Sequence, residues 1–272
     1  MIGGAVLLIG AVEGQKQSAA LDAYIYEEMA SKVRAPDEQA SIVALDVAAA
    51  SPTAGIATTQ PAASIEPTST GEFSAMLPVY SDAATLTVDL TVLQQQNKDI
   101  VAWLRIPGTV IDYPVVRSDN SDYYLHHLFT GQSSKLGCLF SLTTSDYEKP
   151  SRNIAIYGHH LSTSDAMFSG LVKYKEADYY HEHPLIQLSS LYGEHEYRIF
   201  AVLNQKVTDW DASTSEFSDD SAFHAYIEKV KRLSLYDTGV DVSAEDHILT
   251  LITCDRSFGG LRGRLLILAV EI

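Results

Sequence analysis

LTLITCD, residues 249–255, is an apolar and β-branched run that stops at a threonine, a cysteine and an acid. Leu249, Thr250, Leu251 and Ile252 read as a buried strand, and Asp255 with the Gly-containing stretch after it reads as the exit. A strand end holds a side chain rigidly while leaving it reachable, which suits a nucleophile. A cysteine also packs well there as a small hydrophobe, so the run by itself leaves both readings open.

Working outward, similar runs recur on both sides. IVAWLRIPG from Ile100, VIDYPVV from Val110, KLGCLFSL from Lys135 and NIAIYG from Asn153 precede it. PLIQLSS from Pro184 and EYRIFAVL from Glu196 follow, then HILTLITC itself and RLLILAVEI from Arg264. Turn-rich segments separate them. Many strands with few helices between them predict a mainly β fold, a closed or nearly closed barrel rich in antiparallel pairs. A short helix is expected within 86–97. A longer one, AFHAYIEKVKRL (222–233), aligns Phe223, Tyr226, Ile227, Val230 and Leu233 on one face. It immediately precedes the Cys254 strand, so it is expected to form a wall or lid beside a groove.

The first residues are of another kind. MIGGAVLLIGAV is apolar and uncharged until Glu13. At about a dozen residues it falls short of the roughly 20 that span a bilayer, and it lacks the basic start of a secretory signal. Gly3, Gly4 and Gly10 disfavour a soluble helix. Residues 1–13 are therefore expected to be part of a membrane anchor rather than a buried helix start. Residues 17–34 carry Leu21, Tyr24, Ile25 and Met29 at helical spacing, with Pro36 as the stop. Residues 47–72 are almost wholly Ala, Thr, Ser and Pro and cannot offset their ordering entropy, so a tether is expected. This divides the chain into an anchor remnant (1–13), a helix and tether (14–80) and a β-barrel domain (81–272).

A formal charge of −16 without a basic run excludes nucleic acid as a partner. The two cysteines, Cys138 and Cys254, make no disulfide framework for 272 residues. No CxxC pair or HExxH helix occurs, and neither a metal nor another cofactor is expected.

A nucleophilic cysteine needs a group that moves a proton and a donor that holds the developing oxyanion. Among nine histidines, His159 stands apart. IAIYGHH ends a β-rich run in a glycine and then presents His159, as LTLITC presents Cys254. His160 is its competitor. Arg256, Arg262 and Arg264 all lie near enough in sequence to be the donor. Arg264 opens the final strand, where a guanidinium can be fixed geometrically as a loop arginine cannot.

LTLITC resembles the TLxTC signature of the sortases, with Thr250, Leu251, Thr253 and Cys254 matching. GRLLILAV resembles their arginine-led terminal strand. Within that family the chain is most similar to class B, on DIVAWLRIPGTVIDYPVV, YYLHHLF, YGHH followed by MF, and the helix-bearing insert ending in SLYDTG. The resemblance covers about residues 86–272. It implies an eight-stranded sortase-like barrel with N-terminal helices and a helix in the insert before the Cys strand. It also implies a cysteine transpeptidase held by its N-terminus at the extracellular face of the membrane. Its partners would be the sorting-motif peptide of surface proteins and an amine from a cell-wall precursor or a pilin. Carried over by position, Cys254 is the nucleophile, His159 the acid/base and Arg264 the oxyanion or carbonyl stabiliser. Ser121, Leu125, Trp210 and Thr253 are weaker candidates for peptide contact. Ile252 departs from the pattern, since class B enzymes commonly carry serine there, near the sorting peptide. Cys138 is expected to be a buried strand residue without chemistry.

Two rivals frame this expectation: a cysteine peptidase with water as acceptor, and a non-enzymatic surface barrel whose cysteine is inert. With unperturbed pKa values, pH 7 leaves roughly 3% thiolate and a quarter of the imidazole charged, so about 1% of the pair is competent.

Overall fold

The computed structural model describes Tyr26 and residues 88–162, 164–258 and 262–272. Each apolar run identified above forms a strand: β1 (Ile100–Arg105), β2 (Asp112–Ser118), β3 (Leu139–Leu142), β4 (Asn153–Tyr157), β5 (Leu185–Ser190), β6 (Gly193–Lys206), β7 (Ile248–Asp255) and β8 (Gly263–Glu271). They close into a barrel in the order β1-β2-β3-β4-β7-β8-β6-β5. The β2–β3 and β4–β7 ladders are parallel, and the other ladders are antiparallel.

Alternation along the strands sorts the side chains into two sets. Leu249 and Leu251 of β7 and Leu265, Ile267 and Ala269 of β8 belong to the main core with Trp103, Leu104, Phe129 and Phe168. Ile248 and Ile252 of β7 and Leu266, Leu268 and Val270 of β8 face the other way, into a second apolar cluster. A helix covers that cluster. It is one of four short or medium α-helices described: α1 (Leu90–Gln94), α2 (Ser121–Leu125), α3 (Ala177–Glu182) and α4 (Asp220–Leu233), with a 3₁₀ helix at Phe168–Lys175.

The expected helix at 222–233 is α4, opened by Asp219, whose carboxylate accepts from the Ala222 N–H at 2.8 Å. Phe223, Tyr226, Ile227 and Val230 pack into the second cluster, as the spacing predicts. Leu233 does not; it is 46% exposed. Ser234 takes the place beside β6, accepting from the Val202 N–H (3.0 Å) and donating to Tyr236 O (2.8 Å). That seat turns the last residue of the helix outward. The short helix within 86–97 is confined to α1, with Asp89 accepting from the Thr91 N–H at its start.

Tyr26 is helical and 2% exposed. Its hydroxyl donates to Gly137 O at 2.8 Å, and its ring lies edge-on to Tyr113 at 5.3 Å. A residue of the expected 17–34 helix therefore completes the barrel's main core. The anchor at 1–13, the helix face of Leu21, Tyr24, Ile25 and Met29, and the tether at 47–72 lie outside the described residues. Among the described residues no helix is long and apolar enough to cross a membrane.

Candidate active site

The strands β4, β7 and β8 lie side by side with β7 in the middle. Cys254 has the parity of Ile248 and Ile252, and Arg264 that of Leu266 and Leu268, so both belong to the face that α4 covers further along the strands. They are direct register partners across the β7–β8 ladder, and both are half-buried. On the other flank, Tyr157 of β4 pairs with Ile252. The pairing runs one residue past the strand, because the Gly158 N–H donates to Ile252 O at 3.1 Å. Two residues after Tyr157, just past the end of β4, comes His159. Cys254 and Arg264 are thus paired at one strand end, and His159 follows the end of the neighbouring strand β4.

His159 is held from behind. Its Nε2 lies 2.7 Å from Leu125 O at the end of α2. A carbonyl only accepts, so Nε2 carries the proton and Nδ1 is the nitrogen left for exchange. Burial holds the imidazole below its ordinary pKa; the bond to Leu125 O works against this, and a charged His126 adds to the lowering. Glycines make room for this seat. A Cβ on Gly137, whose φ is +66°, would come 2.9 Å from Leu125 O and 3.1 Å from His159 Cδ2. A Cβ on Gly158 would come 2.5 Å from Leu139 Cδ2 and 2.7 Å from Phe168 Cδ2. Gly158→Ala should therefore cost about 1–3 kcal/mol by overpacking and displace His159 as well. Thermal melting and kcat/KM on the same sample check this, and unchanged values for both would show that the site tolerates the shift.

The β7 exit is braced on its other side. Asp255 is 2% exposed and forms an ion pair with Lys175 at the end of the 3₁₀ helix. Its Oδ1 accepts from the Ser257 N–H (2.7 Å) and Oγ (2.6 Å). Burial raises the Asp255 pKa, but the bonds from Lys175 and Ser257 outweigh it and hold the carboxyl below its usual range. Thr253 is buried, and its hydroxyl donates to Gly158 O at 2.8 Å, tying β7 to the end of β4.

The weaker candidates are spread around this centre. Leu125 contributes its carbonyl to His159. Trp210 packs on the second cluster, 5.2 Å from Tyr226, with Lys229 Nζ 3.9 Å above its ring. Ser121 opens α2. Ile252 is 4% exposed and packs in the second cluster, one alternation before Cys254. Cys138 is buried, its Sγ 3.7 Å from Pro114 O, and burial pushes its thiol pKa up to about 12. It is no nucleophile at neutral pH.

Tyr157 was not singled out from the sequence. Burial raises the pKa of its hydroxyl, while a bond to Ser213 and the charge of Arg264 lower it. Its ring stacks on that of Phe140, with centroids 5.4 Å apart. The signal was present in IAIYGHH, where Tyr157 is the last strand residue before the glycine and His159.

Known proteins share this sequence pattern and fold. The sortase domain family matches residues 104–272. Sortase B of Listeria monocytogenes is 38% identical over 196 residues, covering 70% of this chain and 79% of the relative. Sortase B of Staphylococcus aureus is 27% identical over 177 residues, covering 65% and 72%. Among solved structures, the Staphylococcus aureus sortase B–substrate complex superposes with a TM-score of 0.63 at 27% identity, covering 67% of this chain and 84% of that one. Clostridium perfringens sortase B gives 0.63 at 28% identity, covering 68% and 100%. With a closed eight-stranded barrel and these relatives, the chain belongs to the sortase family, and within it is most similar to the class B enzymes.

Proposed function

We propose that this sortase is a cysteine transpeptidase whose nucleophile is Cys254. The observation that carries the reading is the pairing of Cys254 with Arg264 across the β7–β8 ladder, with His159 two residues beyond the Tyr157–Ile252 pair of the β4–β7 ladder. The Cys254 thiolate attacks the carbonyl carbon of a Thr–Gly or similar bond in a sorting motif. Negative charge moves to the carbonyl oxygen, where the Arg264 guanidinium meets it. The C–N bond then breaks, and His159, charged at Nδ1, gives its proton to the leaving amine. The product is a thioester of the substrate acyl group on Cys254. An incoming amine attacks that thioester, His159 takes its proton, and the thiolate leaves as the amide forms.

The acceptor amine belongs to a cell-wall precursor or to another surface protein such as a pilin. Two solved relatives bear on the partners: one is a sortase B–substrate complex, and another is sortase B complexed with Gly3. The apolar residues 1–12 support attachment by the N-terminus at the extracellular face of the membrane. The test is product analysis of a sorting-peptide library with and without triglycine. Amide products that need both Cys254 and the amine support transfer. Acid products alone, unaffected by amine, would make the protein a hydrolytic cysteine peptidase.

Arg264 provides a sharper test of the oxyanion role. Its Nη1 donates to Gly263 O at 2.9 Å, which fixes the guanidinium plane at the start of β8. Charge alone does not reproduce a planar fork at a fixed place. Arg264→Lys should therefore fail nearly as badly as Arg264→Ala, with kcat down about 10²–10³-fold. Arg256 is exposed in the turn that follows β7 and should tolerate alanine. An active Arg264→Lys enzyme would remove the guanidinium from the mechanism.

A further inference from the structure

We infer that His160, the neighbour of the proposed acid/base, is a positioning residue that holds the Cys254 backbone in place for attack. The inference rests on the reading of Cys254 as nucleophile. His160 Nδ1 lies 2.8 Å from the carbonyl oxygen of Cys254, across 94 positions of sequence.

The contact sits where a strand bond is missing. In the parallel β4–β7 ladder the Gly158 N–H donates to Ile252 O. Parallel ladders repeat every two residues, so the next donor would be the His160 N–H and its acceptor Cys254 O. Regular β4 has ended at Tyr157, and His160 instead bridges Met167 across a turn. At the far side of that bridge Met167 is buried with φ of +55°, and the Phe168 N–H donates to His159 O at 3.0 Å. The chain leaves the barrel here, and the imidazole of His160 replaces the lost backbone donor. An amino acid without a side-chain donor would leave the carbonyl of the nucleophile without this partner.

The carbonyl decides which nitrogen carries hydrogen. Nδ1 must be protonated to donate, and it is protonated in both the neutral ring of this tautomer and the imidazolium. The contact is therefore the same in both forms of the ring. Loss of His160 should lower the plateau of the rate without moving its pH limbs, whereas loss of a proton-transfer group would change the limbs. The two adjacent histidines divide the work: His159 is pinned through Nε2 and His160 through Nδ1.

The experiment compares His160→Ala, His160→Asn and Cys254→Ala on the full chain. Readouts are kcat and KM for cleavage of a sorting peptide, the pH profile, and the rate of iodoacetamide alkylation, normalised to folded protein by near-UV circular dichroism. Asparagine places an amide N–H close to where Nδ1–H stood. A misplacement on the order of 1 Å costs about 10²-fold, so His160→Ala should lower kcat by about 10- to 100-fold with KM and the pH limbs unchanged. His160→Asn should recover most of that loss, and Cys254 should remain open to alkylation in both. Full activity of His160→Ala would overturn the inference, leaving the contact purely structural. Equal loss in His160→Ala and His160→Asn would also overturn it, because a donor alone would then be insufficient. Activity surviving in Cys254→Ala would instead defeat the nucleophile assignment, a distinct result.

Discussion

Cys254→Ala should take peptide cleavage and amide formation below detection while leaving the melting temperature within about 2 °C of the parent. The reason for the split lies in where the side chain stands. Cys254 is half-buried at the last but one position of β7, and its neighbours Thr253 and Asp255 carry the packing and the ties of the strand end. Removing the sulfur takes away one atom of a partly exposed side chain and leaves those ties intact. No other described thiol can replace it, since Cys138 is buried with its pKa raised to about 12. Turnover in Cys254→Ala beyond a trace, or a large fall in its melting temperature, would place the sulfur in the core rather than in the chemistry.

His159→Ala should reduce kcat/KM by about 10²–10⁴-fold, the usual contribution of a positioned acid/base group. The pH profile of the parent enzyme checks the role independently. Burial lowers the His159 pKa, so the acid limb should fall below the ordinary imidazole value of about 6.5. The limb belongs to the Cys–His pair rather than to one residue alone. A charged His126 contributes to the lowering, and its ring centroid lies 6.3 Å from that of His159. His126→Gln removes that charge and should move the limb to higher pH. The same shift has a stability consequence with a definite sign. A folded pKa below the unfolded one means the unfolded chain binds more protons, so His159 makes folding less favourable as pH falls through about 6.5 toward the folded value. His159→Ala should lessen that acid-side loss in melting curves. A limb unmoved by His126→Gln would show that the charge of His126 does not reach the titrating group, and a limb at or above the ordinary imidazole value would contradict the assignment to buried His159.

Parts of this site are legible in the sequence alone. LTLITC and IAIYGHH each read as a strand that ends by presenting a side chain, because apolar alternation and a terminal glycine are local signals. RLLILAV placed Arg264 at a strand start for the same reason. The face of α4 was legible through Val230, since helical spacing fixes which side chains meet a sheet. It failed at Leu233, where Ser234 and its bonds to β6 and Tyr236 decide the direction of the chain. Periodicity marks strands but not their partners, so the parallel β4–β7 pairing, which sets the end of β4 beside the end of β7, was out of reach. The His160 contact with Cys254 O was hidden for the same reason: it exists only because β4 stops one bond early. Tyr26 escaped because it lies beside, not on, the apolar stripe of Leu21, Tyr24, Ile25 and Met29.

Intact-mass spectrometry of the enzyme mixed with a cleavable sorting peptide, quenched in acid before amine is added, tests the central claim most directly. A single adduct equal to the N-terminal acyl fragment should appear, map to Cys254, disappear with hydroxylamine and be absent in Cys254→Ala. Adding triglycine before the quench should replace it with free enzyme and the amide product. Turnover with no adduct in either the parent enzyme or the slowed His159→Ala enzyme, or an adduct mapping to another residue, would contradict the account.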